Sequence, residues 1–558
     1  MTYLNILNYK YFNIKIILGF LCLVCFFISL NILPPLDRDE SRYIQSTVQM
    51  LESNDFVNIN FLDAPRLKKP PGIYWLQATS ATFIKNIFFL DAPPLWSFRL
   101  PSAIGASVSI WLTFLLGQLL FGRAQGFIAS LLLISSPLLI IESHIAKTDS
   151  ALLASFLFVL YILAKVIFYI EQNIKKPSDS TILIAWMVLS FSFLVKGPVA
   201  LFILFLLILS FRFSRETINY KNFKPVVGII IFIIIVFPWF MFVQTGNNTD
   251  VFLNSIKKDM LLKLISAQES HGAPPGSYLI SSFLTAWPIT LFIFPTALWA
   301  FNNKKNKPVK FLLCSLLPSW LFFEIIPTKL LHYILPLLPS LAILTAAMIV
   351  SSIKDKNFKA SLDKHIFRLI SILPFIGGLL IAFGIIYLSN IYGEGLTFSI
   401  ALIACIYTLG SFLSAYYIYT QSFINTLIVV VFSNIIALNL LIFVVPNQFQ
   451  KIWISERIYL EIEEKTEHNE YVLLGYSEPS LIYRLGSKTK IVGNSEDAVN
   501  LVLNNNIESI IIENSYLTNF KNLSDKKGIV FRSISKPILG FNYSKGENVE
   551  IIIINLNK

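Results

Sequence analysis

The polar residues of this chain are gathered into short clusters between long apolar runs. Thirteen runs can be read, with approximate cores at 16–34, 98–119, 125–142, 150–170, 180–195, 198–212, 225–243, 278–300, 309–326, 330–350, 367–389, 396–418 and 424–445. A helix of about 20 apolar residues reaches across the hydrocarbon layer of a bilayer. The pattern predicts a polytopic α-helical membrane protein with about thirteen spans, the fifth and sixth short. From about residue 450 the pattern changes. "YVLLGY", "ESIIIEN", "GIVFRSI" and "EIIIINL" read as strands, and "SEDAVNLVLNN" opens with a Ser cap and acids before apolar positions at helical spacing. Residues 1–448 are expected to form the membrane domain and 449–558 a small soluble α/β domain.

Composition agrees with this reading. The 558 residues are 55% hydrophobic and 14% charged, where a soluble chain carries about 25% charged residues. Cys22, Cys25, Cys314 and Cys405 lie in or beside apolar runs, which argues against a disulfide framework or a zinc site. The first run lacks a small-residue cleavage site before Pro34 and reads as an uncleaved span. The net charge of +12 is distributed by side of the membrane. With Lys10 and Lys15 placed in the cytoplasm, the even-numbered connections carry sixteen Lys and Arg and the odd-numbered ones after the first carry six, as the positive-inside rule requires. No nucleic-acid partner is expected. The first connection, about 35–97, departs from the rule: Arg38, Arg42, Arg66, Lys68, Lys69, Lys85 and Arg99 lie in it or at its end. Positive charge on the translocated side suits an anionic ligand.

The odd connections also carry the chemistry. They hold "DRDESRYIQSTVQMLESND", "APRLKKPPGIYWLQ", "ESHIAKTDSALL", "LVKGPVAL", "SAQESHGAPPGSY" and "IPTKLLHYILPLLP". Each sets an acid, a base or a histidine beside a span, so a closed bundle would bring them to one outer pocket. From Glu40, the residues Ile44, Val48 and Leu51 recur at helical spacing, which predicts an interfacial helix with Asp39 at its positive N-terminal end. "PPGIYWLQATSATFI" reads as a second such helix with its prolines at the start. Lys68 and Lys69 precede it, and ammonium groups beside a helix N-terminus suit phosphate. Plainer readings exist for each residue. Asp39 and Glu40 make an ordinary helix start, the lysines an ordinary basic flank beside anionic lipid, Asp149 a cap for its own span, and Lys196 a snorkelling helix end. Asp37 and Asp39 also spell the D-x-D of nucleotide-sugar enzymes, but those substrates are cytoplasmic. The segment 245–277, with "PPGS" and an amphipathic stretch, reads as a lid or interfacial helix.

Taken together, "DRDESRY", "LESNDF", "KKPPGIYWLQ", "KTDSALL", "VKGP" and "KLLHYILPLLP" resemble the lipid A aminoarabinose transferase family, a GT-C glycosyltransferase family related to the protein O-mannosyltransferases. The likeness covers about the first 350 residues. It implies a GT-C fold in the bacterial inner membrane, with a cytoplasmic N-terminus and a periplasmic active site and C-terminal domain, expected as a monomer. It implies inverting transfer of a sugar from a polyprenyl-phosphate donor to lipid A or another envelope acceptor. Asp39, Glu40 and Asp149 match its catalytic carboxylates. Lys69, Lys68, Arg42, Tyr43 and Lys196 match the surroundings of the donor phosphate. Lys329, His332, Tyr333 and His271 fall in the expected substrate pocket. Members of that family usually read "EKPP", and that Glu with a later His can hold a metal. Here the position is Lys68, and an ammonium cannot ligate a metal. Glu269 or Asp63 would have to supply the missing carboxylate beside His271, so no cofactor is expected with certainty. Transfer to protein Ser/Thr, transport of a lipid-linked sugar and lipid binding without catalysis remain the alternatives. Transporters place charges near the membrane midplane and show internal repeats, and neither is visible here.

Overall fold

The computed structural model describes residues 13–214, 216, 220–245, 272–354, 368–463, 470–504, 507 and 509–556. Two compact units share the chain. One comprises Met1–Leu30, Leu67–Ala382 and Ile403–Leu440, the other Asn31–Arg66, Phe383–Leu402 and Leu441–Lys558.

Among the described residues, nine helices are long and apolar enough to cross a bilayer. Two bent pairs, Arg123–Ile134 with Pro137–Ser143 and Ser277–Thr285 with Ile289–Asn302, raise the number to eleven if each is one span. The shorter apolar helices Ile14–Phe27 and Val199–Phe213 lie at the first and sixth expected runs. Each of the thirteen runs thus falls on one of these elements, a polytopic architecture consistent with about thirteen spans. The helices Val199–Phe213 and Lys307–Ile325 pack together through a local defect. Pro318 has no N–H to offer the carbonyl of Cys314 one turn back, and the Ser210 hydroxyl donates to that carbonyl instead, at 3.3 Å.

The second unit is built on a six-stranded sheet. Its strands are β3 (Tyr471–Leu474), β4 (Lys490–Val492), β5 (Ser509–Glu513), β6 (Phe531–Ile534), β7 (Ile538–Asn542) and β8 (Glu547–Leu556). The order is β4-β3-β5-β8-β6, with β7 also on β8. β4, β3 and β5 run parallel, and β8 is antiparallel to its neighbours. The isoleucine runs follow from two covered faces. Leu473, Ile511, Ile551 and Ile553 face one core, and Val472, Leu474, Ile510, Ile512, Ile552 and Ile554 the other. A strand buried on both faces needs apolar residues at every position. The first core also takes Ile454, Ile458 and Leu481, with Phe61 and Leu62 packed against it. Phe61 belongs to a two-residue ladder, β1 (Asn60–Phe61) with β2 (Ala64–Pro65). The loop after the first span is thereby part of the core of the C-terminal domain.

Candidate active site

The first unit gathers a buried ionic cluster from three remote segments. The span Asp149–Phe168 starts at Asp149, and the helix Asp179–Lys196 ends at Lys196. The Lys196 ammonium donates to Asp149 Oδ1, and both side chains are under a tenth exposed. Lys147 Nζ lies 3.3 Å from Glu142 Oε1 and 4.0 Å from Asp149 Oδ2. His332 stands between the acids, Nδ1 3.8 Å from Glu142 Oε1 and Nε2 3.9 Å from Asp149 Oδ1. The Tyr333 ring lies under the Lys196 ammonium at 5.8 Å, within cation–π reach. Lys69 is near enough for its charge to act on His332. The structure thus brings Asp149, Lys196, His332 and Tyr333 together, with Lys69 close by. Glu142 and Lys147 had no assigned role. They join because the chain breaks helix after Ser143 and restarts at Asp149, folding "ESHIAKTD" back on itself. An acid seven residues before Asp149 across a non-helical gap is the one sequence trace of this. Glu142 Oε2 is buried without a hydrogen-bond partner among the described residues.

Two glycines make the cluster possible. A Cβ on Gly72 would lie 2.7 Å from the Leu194 carbonyl carbon and 2.9 Å from the Val195 nitrogen. Only glycine lets the start of the helix Gly72–Ile87, just after Lys69-Pro70-Pro71, meet the backbone beside Lys196. Gly197 has φ 73°, a left-handed value that ends the helix directly after Lys196. Gly72→Ala is expected to lower stability by about 1–3 kcal/mol, because the clash is with backbone and cannot be relieved by a rotamer. Thermal unfolding in detergent measures it, and a donor titration on the folded fraction is expected to show weakened binding.

Other outer-loop candidates have structural work. Lys329 Nζ donates to the carbonyls of Phe323 at 3.2 Å, Glu324 at 2.8 Å and Ile326 at 2.5 Å, closing the end of the helix Lys307–Ile325. Glu324 accepts from the backbone N–H of Gly276 at 2.8 Å and of Leu279 at 3.0 Å, so its charge sits at the start of the helix Ser277–Thr285. His144 is held by the Ser29 hydroxyl at 2.7 Å and the Ile140 carbonyl at 2.7 Å. His271, and residues 246–271 of the expected lid, lie outside the described residues.

The second unit holds the D-E pair. The helix Asp39–Ser53 forms as the 44/48/51 spacing predicts, and Asp39 and Glu40 occupy its first turn. The two carboxylates part company there. Glu40 is 1% exposed, and its Oε2 accepts from the Leu36 N–H at 2.9 Å. Asp39 is exposed. Tyr43 is buried, with the Arg66 guanidinium over its ring at 5.4 Å. Arg42, in the same helix, is half-buried; in the first unit's "KKPP" turn Lys69 is half-buried and Lys68 exposed.

Lys68 stands where the resemblance puts a carboxylate ligand, and an ammonium cannot take that place; Glu269 and His271 lie outside the described residues. Glu142, Asp149 and His332 do place ligand atoms within 4.8 Å of one another. Their two carboxylates already face the two ammonium groups of Lys147 and Lys196, so the cluster is balanced as an ion-pair network, and no catalytic step is assigned to a metal.

With this geometry in hand, the chain can be set beside known proteins. Residues 68–242 match the family model described as dolichyl-phosphate-mannose-protein mannosyltransferase. The chain is 24% identical over 322 residues to undecaprenyl phosphate-alpha-4-amino-4-deoxy-L-arabinose arabinosyl transferase 2 of Pseudomonas fluorescens, covering 56% of this chain and 52% of that protein. It is 27% identical over 344 residues to the arabinosyl transferase of Aeromonas hydrophila, covering 58% and 59%. The match thus spans a little over half the length of these curated relatives. In structure it is similar to ArnT from Cupriavidus metallidurans bound to undecaprenyl phosphate, with a TM-score of 0.72, 16% identity and 97% of each chain covered. The Archaeoglobus fulgidus oligosaccharyltransferase follows at TM-score 0.50 and 12% identity, over 90% of this chain and 70% of that one. The fold is that of the GT-C glycosyltransferases.

Proposed function

We propose that this chain, a GT-C protein that resembles the aminoarabinose transferases, is an inverting glycosyltransferase. It moves a sugar from a polyprenyl-phosphate donor to lipid A or a related envelope acceptor on the periplasmic face of the inner membrane. The observation that carries the reading is the buried Asp149–Lys196 pair with His332 and Tyr333 beside it. Its residues come from the motifs on which the resemblance rests, and the solved structure of the same fold is described as bound to undecaprenyl phosphate.

In the reaction, the bond between the sugar's anomeric carbon and the donor phosphate oxygen breaks, and its electron pair leaves with the polyprenyl phosphate. The acceptor oxygen attacks from the opposite face and inverts the centre. The ammonium groups of Lys69 and Lys196 meet the charge developing on the leaving phosphate, a stabilisation that grows toward the transition state. Asp149 holds Lys196 in place until the phosphate arrives. Asp39 takes the proton of a hydroxyl acceptor as general base. For a phosphate acceptor, already ionised, it orients the groups and offsets positive charge at the anomeric carbon.

The family match to protein mannosyltransferases supports a second reading, the same chemistry on a Ser/Thr acceptor. Purified protein offered labelled polyprenyl-phosphate sugars with lipid A and with a Ser/Thr peptide separates the two by which acceptor carries label. Lys69→Ala is expected to weaken donor binding by about tenfold or more, the value of one charge-assisted phosphate contact. Unchanged donor affinity in that variant would remove Lys69 from the site.

A further inference from the structure

The turn that delivers Asp39 is held at Leu36 by Glu40 and Ser41 of its own helix, but the side chains of Asp37 and Arg38 are bonded from elsewhere. The helix Asp39–Ser53 has no side-chain N-cap, and the residue before it, Arg38, has φ 65° and ψ −110°. A non-glycine residue at such angles is strained and persists only where its surroundings enforce it. For Asp37 and Arg38 those surroundings are residues of the C-terminal domain, in the same compact unit. The Asp37 N–H donates to the Tyr543 hydroxyl at 2.7 Å. The Asp37 carboxylate accepts from the Ser480 N–H at 3.2 Å and from the Ser480 hydroxyl. The Arg38 guanidinium donates to the Ser544 carbonyl. Behind this layer, Glu478 accepts from Asn542 at 2.9 Å and from the Ser544 hydroxyl at 2.8 Å, fixing the Tyr543 turn. At the far end of the helix the Ser487 hydroxyl donates to Glu52 at 2.6 Å.

We infer that the C-terminal domain is a positioning device for catalysis: Ser480 and Tyr543 grip Asp37 and hold the strained Arg38 turn that sets the place of Asp39. The inference rests on the reading of Asp39 as the reactive carboxylate. It gives the domain a job within the reaction, apart from any binding of the acceptor. It also assigns Asp37 and Arg38, whose charges the sequence leaves without a purpose.

A pH signature follows. Burial, with Glu478 adding repulsion, pushes the Asp37 carboxyl up to about 6 against the opposing hydrogen bonds from Ser480 and Tyr543. Tyr476, Tyr543 and Glu40 are the other titratable groups coupled to this corner, and Arg38 is its cation. Because the folded pKa is raised to about 6, Asp37 is half ionised there, is gripped as the carboxylate well above that pH, and loses that grip as pH falls through it. Turnover is therefore expected to fall on the acid side with a midpoint near this value.

The test is steady-state transfer by the full-length protein in proteoliposomes, measured against pH. Tyr543→Phe removes one hydrogen bond and is expected to lower kcat by about tenfold, the kinetic equivalent of roughly 1.4 kcal/mol, with donor KM unchanged. Ser480→Ala removes a bond that favours ionised Asp37, so the acid limb is expected to move to higher pH. Asp37→Asn, nearly isosteric, is expected to remove that limb. Wild-type kcat and an unmoved acid limb in Tyr543→Phe and Ser480→Ala, in a preparation where Asp39→Asn is inactive, would overturn the positioning role. Full activity of Asp39→Asn would instead overturn the reading of Asp39 itself. If Tyr543→Phe fails to fold, the acid limbs of Ser480→Ala and Asp37→Asn decide the matter alone.

Discussion

Asp39→Asn is expected to cut turnover by about 10²–10⁴-fold, the range for loss of a positioned general base, while thermal stability changes by less than about 1 kcal/mol, the value of one charge at a helix N-terminus. The two halves of this result have separate causes. Asp39 is exposed in the first helical turn, so little of the fold depends on its charge. Glu40, its neighbour, provides the contrast. It is buried, and its carboxylate accepts from the Leu36 N–H. Glu40→Ala is expected to cost about 1.5–3 kcal/mol, the value of a charge-assisted hydrogen bond, and to reduce activity through the folded fraction. Measuring kcat on the folded fraction beside melting temperature in both variants divides the D-E pair into a reacting member and a structural one.

Lys196→Met is the second large effect. Removing one partner of a buried ion pair leaves the other charge unpaired, at a cost of about 3–5 kcal/mol. Asp149 keeps Lys147 at 4.0 Å, His332 at 3.9 Å and the Thr148 hydroxyl at 3.4 Å, which softens the loss without cancelling it. The double variant Asp149→Asn/Lys196→Met removes both charges and is expected to recover most of the stability, since a neutral pair avoids the desolvation cost. Transfer is expected to stay lost in the double variant, because the phosphate has lost its ammonium partner. Recovery of stability without recovery of transfer is the outcome that separates a working lysine from a structural one.

How much of this was visible in the sequence depends on range. The spans were legible because a helix in a bilayer must be apolar along its whole length. The strands of the C-terminal domain were legible where they are buried on both faces, as in Ser509–Glu513 and Glu547–Leu556; β4 and β7 carry no such apolar run and were not anticipated. Asp149, Lys196, His332 and Tyr333 could be nominated from local motifs, but their meeting is set by bends and close approaches. Gly72 against Leu194 is one example, 122 positions apart and invisible to any periodicity. Glu142 and Lys147 were passed over because a break in the helix, rather than helical spacing, brings them to Asp149. The partners of Asp37 lie furthest of all: Ser480 is 443 residues away and Tyr543 is 506 from the same turn. No local pattern could pair them, since both partners lie in the C-terminal domain.

The most direct measurement is sugar transfer by the purified protein in proteoliposomes, with labelled polyprenyl-phosphate sugars as donors, lipid A as acceptor and the products identified by mass. The wild-type chain is expected to transfer label with inversion at the anomeric carbon, and Asp39→Asn and Lys69→Ala to lose that transfer while remaining folded. No transfer from any polyprenyl-phosphate donor, or full transfer in both variants, would contradict a GT-C glycosyltransferase working through these residues.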